Sequence, residues 1–144
     1  MKIEELMTEW ANDCSIDTTR LMSESAVVPT LHAKYYRIFM DEKLLLLKLH
    51  GHKEELALAL DGFFAKTLTH DELVKWELQY SDKKVLRADI NKHVAVHPKM
   101  IELNLRIGVQ TEKCKFLEDV LKMVHNRNFT IKNIIDMKKF EAGV

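Results

Sequence analysis

Residues 31–64 carry the longest apolar pattern of the chain and read LHAKYYRIFMDEKLLLLKLHGHKEELALALDGFF. Apolar side chains recur there at alternating steps of four and three residues, which predicts one long amphipathic helix with a heptad-like seam. Only Glu42 and Lys53 interrupt this seam with polar groups. The seam consists of Tyr35, Phe39, Glu42, Leu46, Leu49, Lys53, Leu56, Leu60 and Phe63.

A second group of apolar residues lies beside the seam on the same helix. It makes the apolar face wider than a two-stranded coiled coil needs, so the helix must bury more than one side. We therefore expect the helix to pack against helices of its own chain and against other copies of the chain. The neighbouring residues are Tyr36, Met40, Leu44, Leu45, Leu47 and Leu58.

The composition favours an all-α protein. The 144 residues include only 4 glycines and 2 prolines, whereas Leu, Lys, Glu, Met and Ala are common. This length corresponds to one domain, and an open helical assembly of this size has a modest core of its own. We therefore predict long amphipathic helices that form a helical bundle, which then oligomerises.

The charged residues balance, with 22 basic and 22 acidic side chains. Attraction of the whole molecule to nucleic acid is therefore not evident, and any such attraction must come from local patches. Cys14 and Cys114 are isolated thiols, which predicts neither a disulfide framework nor a zinc site and fits a reducing compartment. No signal peptide and no apolar run of transmembrane length is present. These features predict a soluble intracellular protein that does not contact membranes.

Helix start and stop signals predict the first segments of this single domain. Residues 1–30 form short N-terminal helices, the second of them capped by Asp17, and Pro29 kinks or divides the pattern that follows. Residues 31–66 form the long central helix. Gly51 costs that helix about 1 kcal/mol, which the surrounding leucines outweigh.

Residues 69–127 are predicted to form a helical hairpin of partner segments for the central helix. Thr69 and Glu72 have the spacing of a capping box, which predicts a helix from there to about His93. Pro98 suits the first position of the next long helix.

Residues 128–144 are predicted to form a separate C-terminal assembly helix. Asn126, Arg127 and Asn128 are interpreted as the end of the preceding helix, and Thr130 as the N-cap of the last one. Its apolar residues are Ile131, Ile134, Ile135, Met137 and Phe140.

Histidines raise the question of a metal site. His50 and His52 are close in sequence, and His93 and His97 are four residues apart, like two ligands on one helix face. Pro98 breaks the helical geometry of the second pair, and no HExxH, GxSxG or phosphate-binding glycine loop occurs. We therefore expect no metal, no cofactor and no enzyme. A metal-dependent enzyme using these four histidines is the weakest alternative.

Basic residues interleaved with aromatic residues point more strongly to nucleic acid. Cations that follow phosphates and rings that stack on bases are what sequence-tolerant single-strand binding requires. A solvated lysine face and a core tryptophan explain the same pattern equally well. The residues are Lys75, Trp76, Tyr80, Lys83, Lys84 and Arg87, expected on one helix, and Lys48, His52, Lys53 and Lys66 beside the leucine-rich stretch.

Two terminal segments resemble a known family. Residues 16–21 read IDTTRL and residues 131–143 read IKNIIDMKKFEAG, and between them the similarity is sparser, mainly Leu56, Leu60-Asp61 and Val85-Leu86 with Ala88-Asp89. In these segments the chain resembles the UvsY-type recombination mediator proteins of large tailed bacteriophages. Length and helix order agree throughout.

The resemblance implies a DNA-binding protein rather than an enzyme. Family members bind single-stranded DNA and contact both the phage RecA-like recombinase and the phage single-strand DNA-binding protein. They help the recombinase displace that protein and stabilise the resulting filament, which places this chain in the cytoplasm of the infected bacterial host. They form ring-like homo-oligomers, hexamers or heptamers, with the C-terminal region implicated in assembly.

The apolar seam and the last helix supply what such assembly needs. We therefore expect the oligomer interface to include Leu46, Leu49, Leu56, Leu60, Phe63, Ile131, Ile134, Ile135, Met137 and Phe140.

One departure from the family pattern concerns its DNA-binding segment. The family places a Lys and an Arg two apart, just before Leu-Asp and an aromatic pair, whereas Ala57 and Ala59 stand here. The aromatic pair, Phe63 and Phe64, is displaced by one position. We therefore expect DNA binding to have moved to neighbouring cations, which a ring combines into a polyvalent binder. The candidates are Lys48, Lys53, Lys66, Lys83, Lys84 and Arg87.

A helical oligomeric scaffold or adaptor that binds only proteins is the competing interpretation. It shares the seam and the assembly, and differs only in whether the lysines bind DNA.

Overall fold

The computed structural model describes all residues from Met1 to Val144 and contains α-helices and one 3-10 turn, without a β-strand. The all-α prediction is confirmed. The helices are α1 (Ile3–Asp13), α2 (Leu21–Ala26), α3 (Val28–Phe64), α4 (His70–Lys75), α5 (Ile90–Val96) and α6 (Pro98–Glu141), with the 3-10 turn at Arg87–Asp89. None of these helices combines the length and apolar character that crossing a membrane requires.

The chain packs as two compact units. Unit 1 comprises residues 1–43 and 112–144, and unit 2 comprises residues 44–111. Helices α3 and α6 contribute residues to both units.

Helix α3 matches the predicted central helix closely. It begins at Val28 instead of Leu31, because Pro29 falls in its first turn, where proline is tolerated, and α2 ends just before it. It continues through Gly51, as predicted. The helix ends at Phe64.

The core of unit 1 is built from α1, α3 and α6. Trp10 packs edge-on against Tyr35, with ring centroids 5.3 Å apart. The Tyr35 hydroxyl donates to Asp13 at 2.8 Å, and burial followed by this hydrogen bond raises the pKa of Tyr35. The buried core residues are Leu6, Val28, Tyr35, Leu117, Val120, Val124 and Ile131.

A buried arginine fixes the segment after α1 to α6. Arg127 is only 6% exposed. Its Nη1 donates to the Cys14 carbonyl at 3.1 Å, and its Nη2 donates to the Ser15 carbonyl at 2.9 Å and to Glu24 at 2.8 Å. One guanidinium therefore connects the loop before α2, α2 itself and α6.

The predicted helix end at residues 126–128 is wrong, because α6 continues through it to Glu141. Val124, Arg127 and Ile131 are all buried at helical spacing, and this packing outweighs the low helix propensity of asparagine. Thr130 is not a cap, since its hydroxyl donates to the Asn126 carbonyl within the helix.

The predicted cap at Asp17 is also wrong. Its carboxylate accepts hydrogen bonds from the amide and hydroxyl of Thr19 at 2.9 and 2.6 Å, which forms a local turn. Helix α2 begins only at Leu21.

Unit 2 buries much of the predicted seam. Leu46, Leu49, Leu56 and Leu60 are at most 8% exposed. The neighbouring apolar face of α3 stays in solvent, with Leu58 76% exposed. Other buried residues of unit 2 are Ala59, Leu78, Ile90, Met100, Leu103, Ile107 and Gln110.

The predicted helix from Thr69 to about His93 is wrong in its length. Thr69 does cap α4, since its hydroxyl accepts the amide of Glu72 at 3.3 Å, but α4 ends at Lys75. Residues 78–86 have no regular secondary structure, and helix resumes at Ile90.

A histidine caps the start of α6. The amide of Lys99 donates to Nδ1 of His97 at 3.2 Å, which requires that nitrogen to be unprotonated. The rings of Phe63 and Phe64 lie 6.3 and 6.2 Å from the imidazole. Burial, followed by the charge of Lys99, lowers the pKa of His97 below its ordinary value of 6.5.

The free energy of unfolding is expected to fall as the pH drops below 6.5. In the variant His97→Asn, the part of this pH dependence that comes from His97 should be absent. The unfolded chain then protonates His97 while the folded chain resists protonation, so the unfolded state binds more protons and stability rises with pH. Asparagine keeps a capping acceptor that does not titrate. Urea unfolding of both proteins at about pH 7.5 and pH 5.5 measures this. If the free energies of unfolding of the parent and of His97→Asn differ by the same amount at both pH values, the prediction is contradicted.

Candidate nucleic-acid interface

Lys66 occupies a backbone position that usually belongs to glycine. The amide of Lys66 donates to the Phe63 carbonyl at 3.3 Å, and the amide of Thr67 donates to the Gly62 carbonyl at 2.9 Å. These two bonds form a Schellman motif at the end of α3, with Lys66 in the left-handed conformation at φ 62°. A Cβ on Gly62 would meet the Leu68 Cδ2 at 2.9 Å, so a larger residue there would require the Leu68 side chain to shift.

This turn places the Lys66 ammonium over two aromatic rings. The Nζ lies 5.4 Å from the centroid of Phe63 and 5.7 Å from that of Tyr80. Tyr80 is 67% exposed. A cation and an accessible ring therefore stand side by side on unit 2.

Lys66→Gly is expected to be more stable than Lys66→Ala by about 1 kcal/mol, because both lose the ammonium but only glycine relieves the left-handed backbone. Urea unfolding at one protein concentration compares the two. Equal unfolding free energies would contradict the argument.

Three of the predicted cations line one groove of unit 2. Lys66, Lys84 and Arg87 surround a cavity of ≈ 290 Å³ that no carboxylate lines. None of the three forms an ion pair within the chain. We call this the basic groove; its residues are Phe64, Ala65, Lys66, Lys84, Val85, Arg87 and Ile90.

The other three predicted cations do not line the basic groove. Lys83 is exposed in the irregular segment beside Lys84, where its amide donates to the Ser81 hydroxyl at 3.2 Å. Lys48 is exposed on α3, and Lys53 is half-buried on the same helix. The prediction that Lys75, Lys83, Lys84 and Arg87 share one helix is wrong, because α4 ends at Lys75, before the other three.

The aromatic pair of the family segment is half-buried here. Phe63 and Phe64 meet edge-on at 5.2 Å, and Phe64 also contacts His93 at 5.4 Å. Ala59 is 7% exposed, so this position of α3 is covered within unit 2.

A second groove of unit 2 surrounds Trp76. The His52 imidazole stacks on the indole with centroids 5.8 Å apart and planes inclined by 24°. The Lys75 Nζ lies 5.6 Å from the indole centroid, and Lys99 pairs with Glu77 at 3.8 Å. We call this the Trp76 groove; its residues are His52, Glu55, Leu56, Lys75, Trp76, Glu77, Lys99, Glu102, Leu103 and Arg106.

Sequence reasoning missed two of these cations. Lys99 and Arg106 are seven residues apart on the predicted helix after Pro98, which puts them on one face. This seven-residue spacing could have predicted that the two cations lie on the same side of the helix.

The histidines of the metal hypothesis have other neighbours. His52 stacks on Trp76, and His93 and His97 contact Phe64. No three His, Cys, Asp or Glu side chains are grouped to hold a metal ion.

The predicted interface residues differ in exposure. Leu46, Leu49, Leu56, Leu60 and Ile131 are buried within their own unit. Phe63 and Ile134 are half-buried. Ile135, Met137 and Phe140 at the end of α6 are 37%, 57% and 78% exposed.

An all-helical chain with unpaired cations converging beside accessible rings has the features of a single-strand nucleic-acid binding protein. The comparisons with known proteins agree. The chain belongs to the UvsY family, whose model, described as "Recombination, repair and ssDNA binding protein UvsY", matches residues 9–144. The family resemblance found in the sequence is thereby confirmed.

Known relatives cover nearly the whole chain. The "Recombination protein uvsY" of Enterobacteria phage T4 is 30% identical over 145 residues, covering 99% of each chain. Two crystal structures of the bacteriophage T4 recombination mediator protein UvsY share the fold. Lattice type II gives a TM-score of 0.83 at 22% identity, covering 99% of this chain and 98% of that one. The structure in lattice type I gives a TM-score of 0.81 at 20% identity, covering 95% of this chain and 98% of that one.

Proposed function

We propose that this chain is a recombination mediator that binds single-stranded DNA through the basic groove of unit 2. In this role it helps load a phage RecA-like recombinase onto DNA covered by the phage single-strand DNA-binding protein and stabilises the presynaptic filament. The observation that carries the DNA-binding part is the convergence of Lys66, Lys84 and Arg87 in one groove free of carboxylates. Membership of the UvsY family supports the mediator role.

The groove suits a phosphate backbone with adjoining bases. Its three cations have no acidic partner, so binding a phosphate breaks no ion pair. The guanidinium of Arg87 can bind phosphate through two parallel hydrogen bonds, and the two lysines act as mobile point charges. Tyr80 is mostly exposed beside Lys66, which leaves its ring available for stacking on a base.

The exposed apolar surface supports assembly of several copies. The buried leucines of the seam are already covered by their own chain, so the proposed interface uses the outer face of α3 and the end of α6. Their exposed side chains are Tyr36, Met40, Leu44, Leu45, Leu47 and Leu58 on α3, and Ile135, Met137 and Phe140 on α6. We propose a ring-like homo-oligomer, a hexamer or heptamer, in which each groove adds to the effective concentration of the next.

The partners and location follow from the same role. The chain binds single-stranded DNA, the recombinase and the single-strand DNA-binding protein in the cytoplasm of the infected host. It acts by binding and assembly, without catalysing a reaction.

Titration of fluorescent oligo-dT at several salt concentrations, with molar mass from light scattering in parallel, tests the proposal. We expect an oligomer that binds, and an affinity that falls steeply as salt rises. A protein-only adaptor would form the oligomer yet leave the oligonucleotide free. A monomer that ignores DNA would reject both the assembly and the DNA-binding role.

A further inference from the structure

The Trp76 groove differs in charge from the basic groove. Its cations Lys75, Lys99 and Arg106 are matched by the carboxylates Glu55, Glu77 and Glu102. A phosphate gains little where charges balance, and binding to Lys99 would compete with its existing ion pair at 3.8 Å. The groove therefore suits a flat, uncharged ligand with hydrogen-bonding edges.

The indole of Trp76 already stacks against a planar ring of the chain itself. The His52 imidazole stacks on Trp76 nearly in parallel, and the indole is neither buried nor fully exposed. Part of the ring therefore faces the groove, whose volume is ≈ 410 Å³. Stacking on an aromatic ring is the usual way in which proteins hold unpaired bases without reading their sequence.

The polar groups around the indole match the edges of a base. The carboxylates of Glu55 and Glu102 accept hydrogen bonds from exocyclic amino groups, and the guanidinium of Arg106 donates to ring nitrogens and carbonyl oxygens. Arg106 is exposed and has no ion pair of its own.

We propose that the Trp76 groove holds a nucleobase of the same single strand whose phosphates lie in the basic groove. This inference rests on the proposed function. His52 and Phe64, which line the two grooves, are twelve residues apart on α3 and hence about 18 Å apart along the helix axis, a distance that a few nucleotides span. The strand then contacts each copy at two points, one for phosphates and one for a base.

Tryptophan emission tests the assignment, because the chain has only 2 tryptophans, Trp10 and Trp76. In Trp10→Phe the sole indole is Trp76, and we expect oligo-dT of about ten nucleotides to quench its emission in step with binding followed by anisotropy. In Trp76→Phe the remaining Trp10 lies in unit 1 and its emission should not change.

A second pair of variants measures the contribution of stacking. Trp76→Leu should weaken binding of the short oligonucleotide by about 5- to 150-fold, whereas Trp76→Phe, which keeps a ring, should bind within about threefold of the parent. Circular dichroism confirms that each variant is folded.

Two outcomes would overturn the inference, and only the second of them would also overturn the proposed function. If anisotropy shows binding while Trp76 emission stays constant and Trp76→Leu binds like the parent, only the Trp76 assignment fails. If anisotropy shows no binding by any of these proteins, the proposed function fails as well.

Discussion

The triple variant Lys66→Gly, Lys84→Gln, Arg87→Gln is expected to bind single-stranded DNA about 100-fold more weakly than the parent, because three charge-assisted phosphate contacts disappear together. The slope of log affinity against log salt concentration should become shallower by about 2, since each lost phosphate contact on a single strand removes about 0.7. Glycine at position 66 suits the left-handed backbone, so the fold should be retained. Anisotropy titrations at several salt concentrations measure both quantities.

A matched triple variant separates the groove from bulk charge. Arg37→Gln, Lys115→Gln, Lys122→Gln removes three exposed cations of unit 1, and its binding should stay within about threefold of the parent. Equal losses in the two triple variants would mean that overall charge, and not the basic groove, governs binding.

Arg127→Leu is expected to lower the free energy of unfolding by about 3–5 kcal/mol, because it leaves a partly buried carboxylate and two carbonyl groups without their donor. The Glu24 side chain is only 22% exposed and lies 2.8 Å from the guanidinium. The loop after α1 and helix α2 should also exchange their amide hydrogens faster, since Cys14 and Ser15 lose their link to α6.

An exposed arginine gives the control for this variant. Arg37→Leu removes the same side chain from the surface of α3 and should change stability by no more than about 0.5 kcal/mol. Urea unfolding at a fixed protein concentration compares the two, since assembly makes stability depend on concentration. If Arg127→Leu unfolds like Arg37→Leu, the buried arginine does not fix the N-terminal segment.

The long helices were predictable from sequence because their signals are strong and repeated. The seam beginning at Tyr35 predicted α3, and its leucines are indeed buried. The pattern around Gly51 also predicted an unbroken helix, and a Cβ at this position would meet nothing within 4 Å, so no neighbouring atom requires glycine there. Pro98 starts α6 as its position suggested.

The helix ends were harder to predict because local and long-range signals conflict. Residues 126–128 have the composition of a helix end, yet Arg127 is held by backbone carbonyls more than a hundred positions away in sequence. Conversely, the apolar pattern after Thr69 continues past the point where α4 ends. The helix ends because Glu77 adopts a left-handed backbone at φ 54°, and the amide of Leu78 then donates to the Leu73 carbonyl at 2.9 Å. The periodicity gives no sign of this turn.

The candidate site was predictable in its residue types but not in its grouping. The six candidate cations were proposed from the sequence pattern, and the structure places three of them around one groove. Lys66 joins Lys84 and Arg87 only because the turn after α3 meets the irregular segment and the 3-10 turn that follows it, and no helical spacing predicts this contact. Arg106 was missed because its partner residues come from α3 and α4.

The carboxylate-free groove has a further consequence for a chain whose formal net charge is zero. Three positive charges without a carboxylate in the groove create a local positive potential there although the whole chain is neutral, and this potential attracts an approaching polyanion. The association rate with DNA should therefore decrease as ions screen the field, even though the isoelectric point is about 7.1. A neutral protein can thus be guided to its strand before any contact forms.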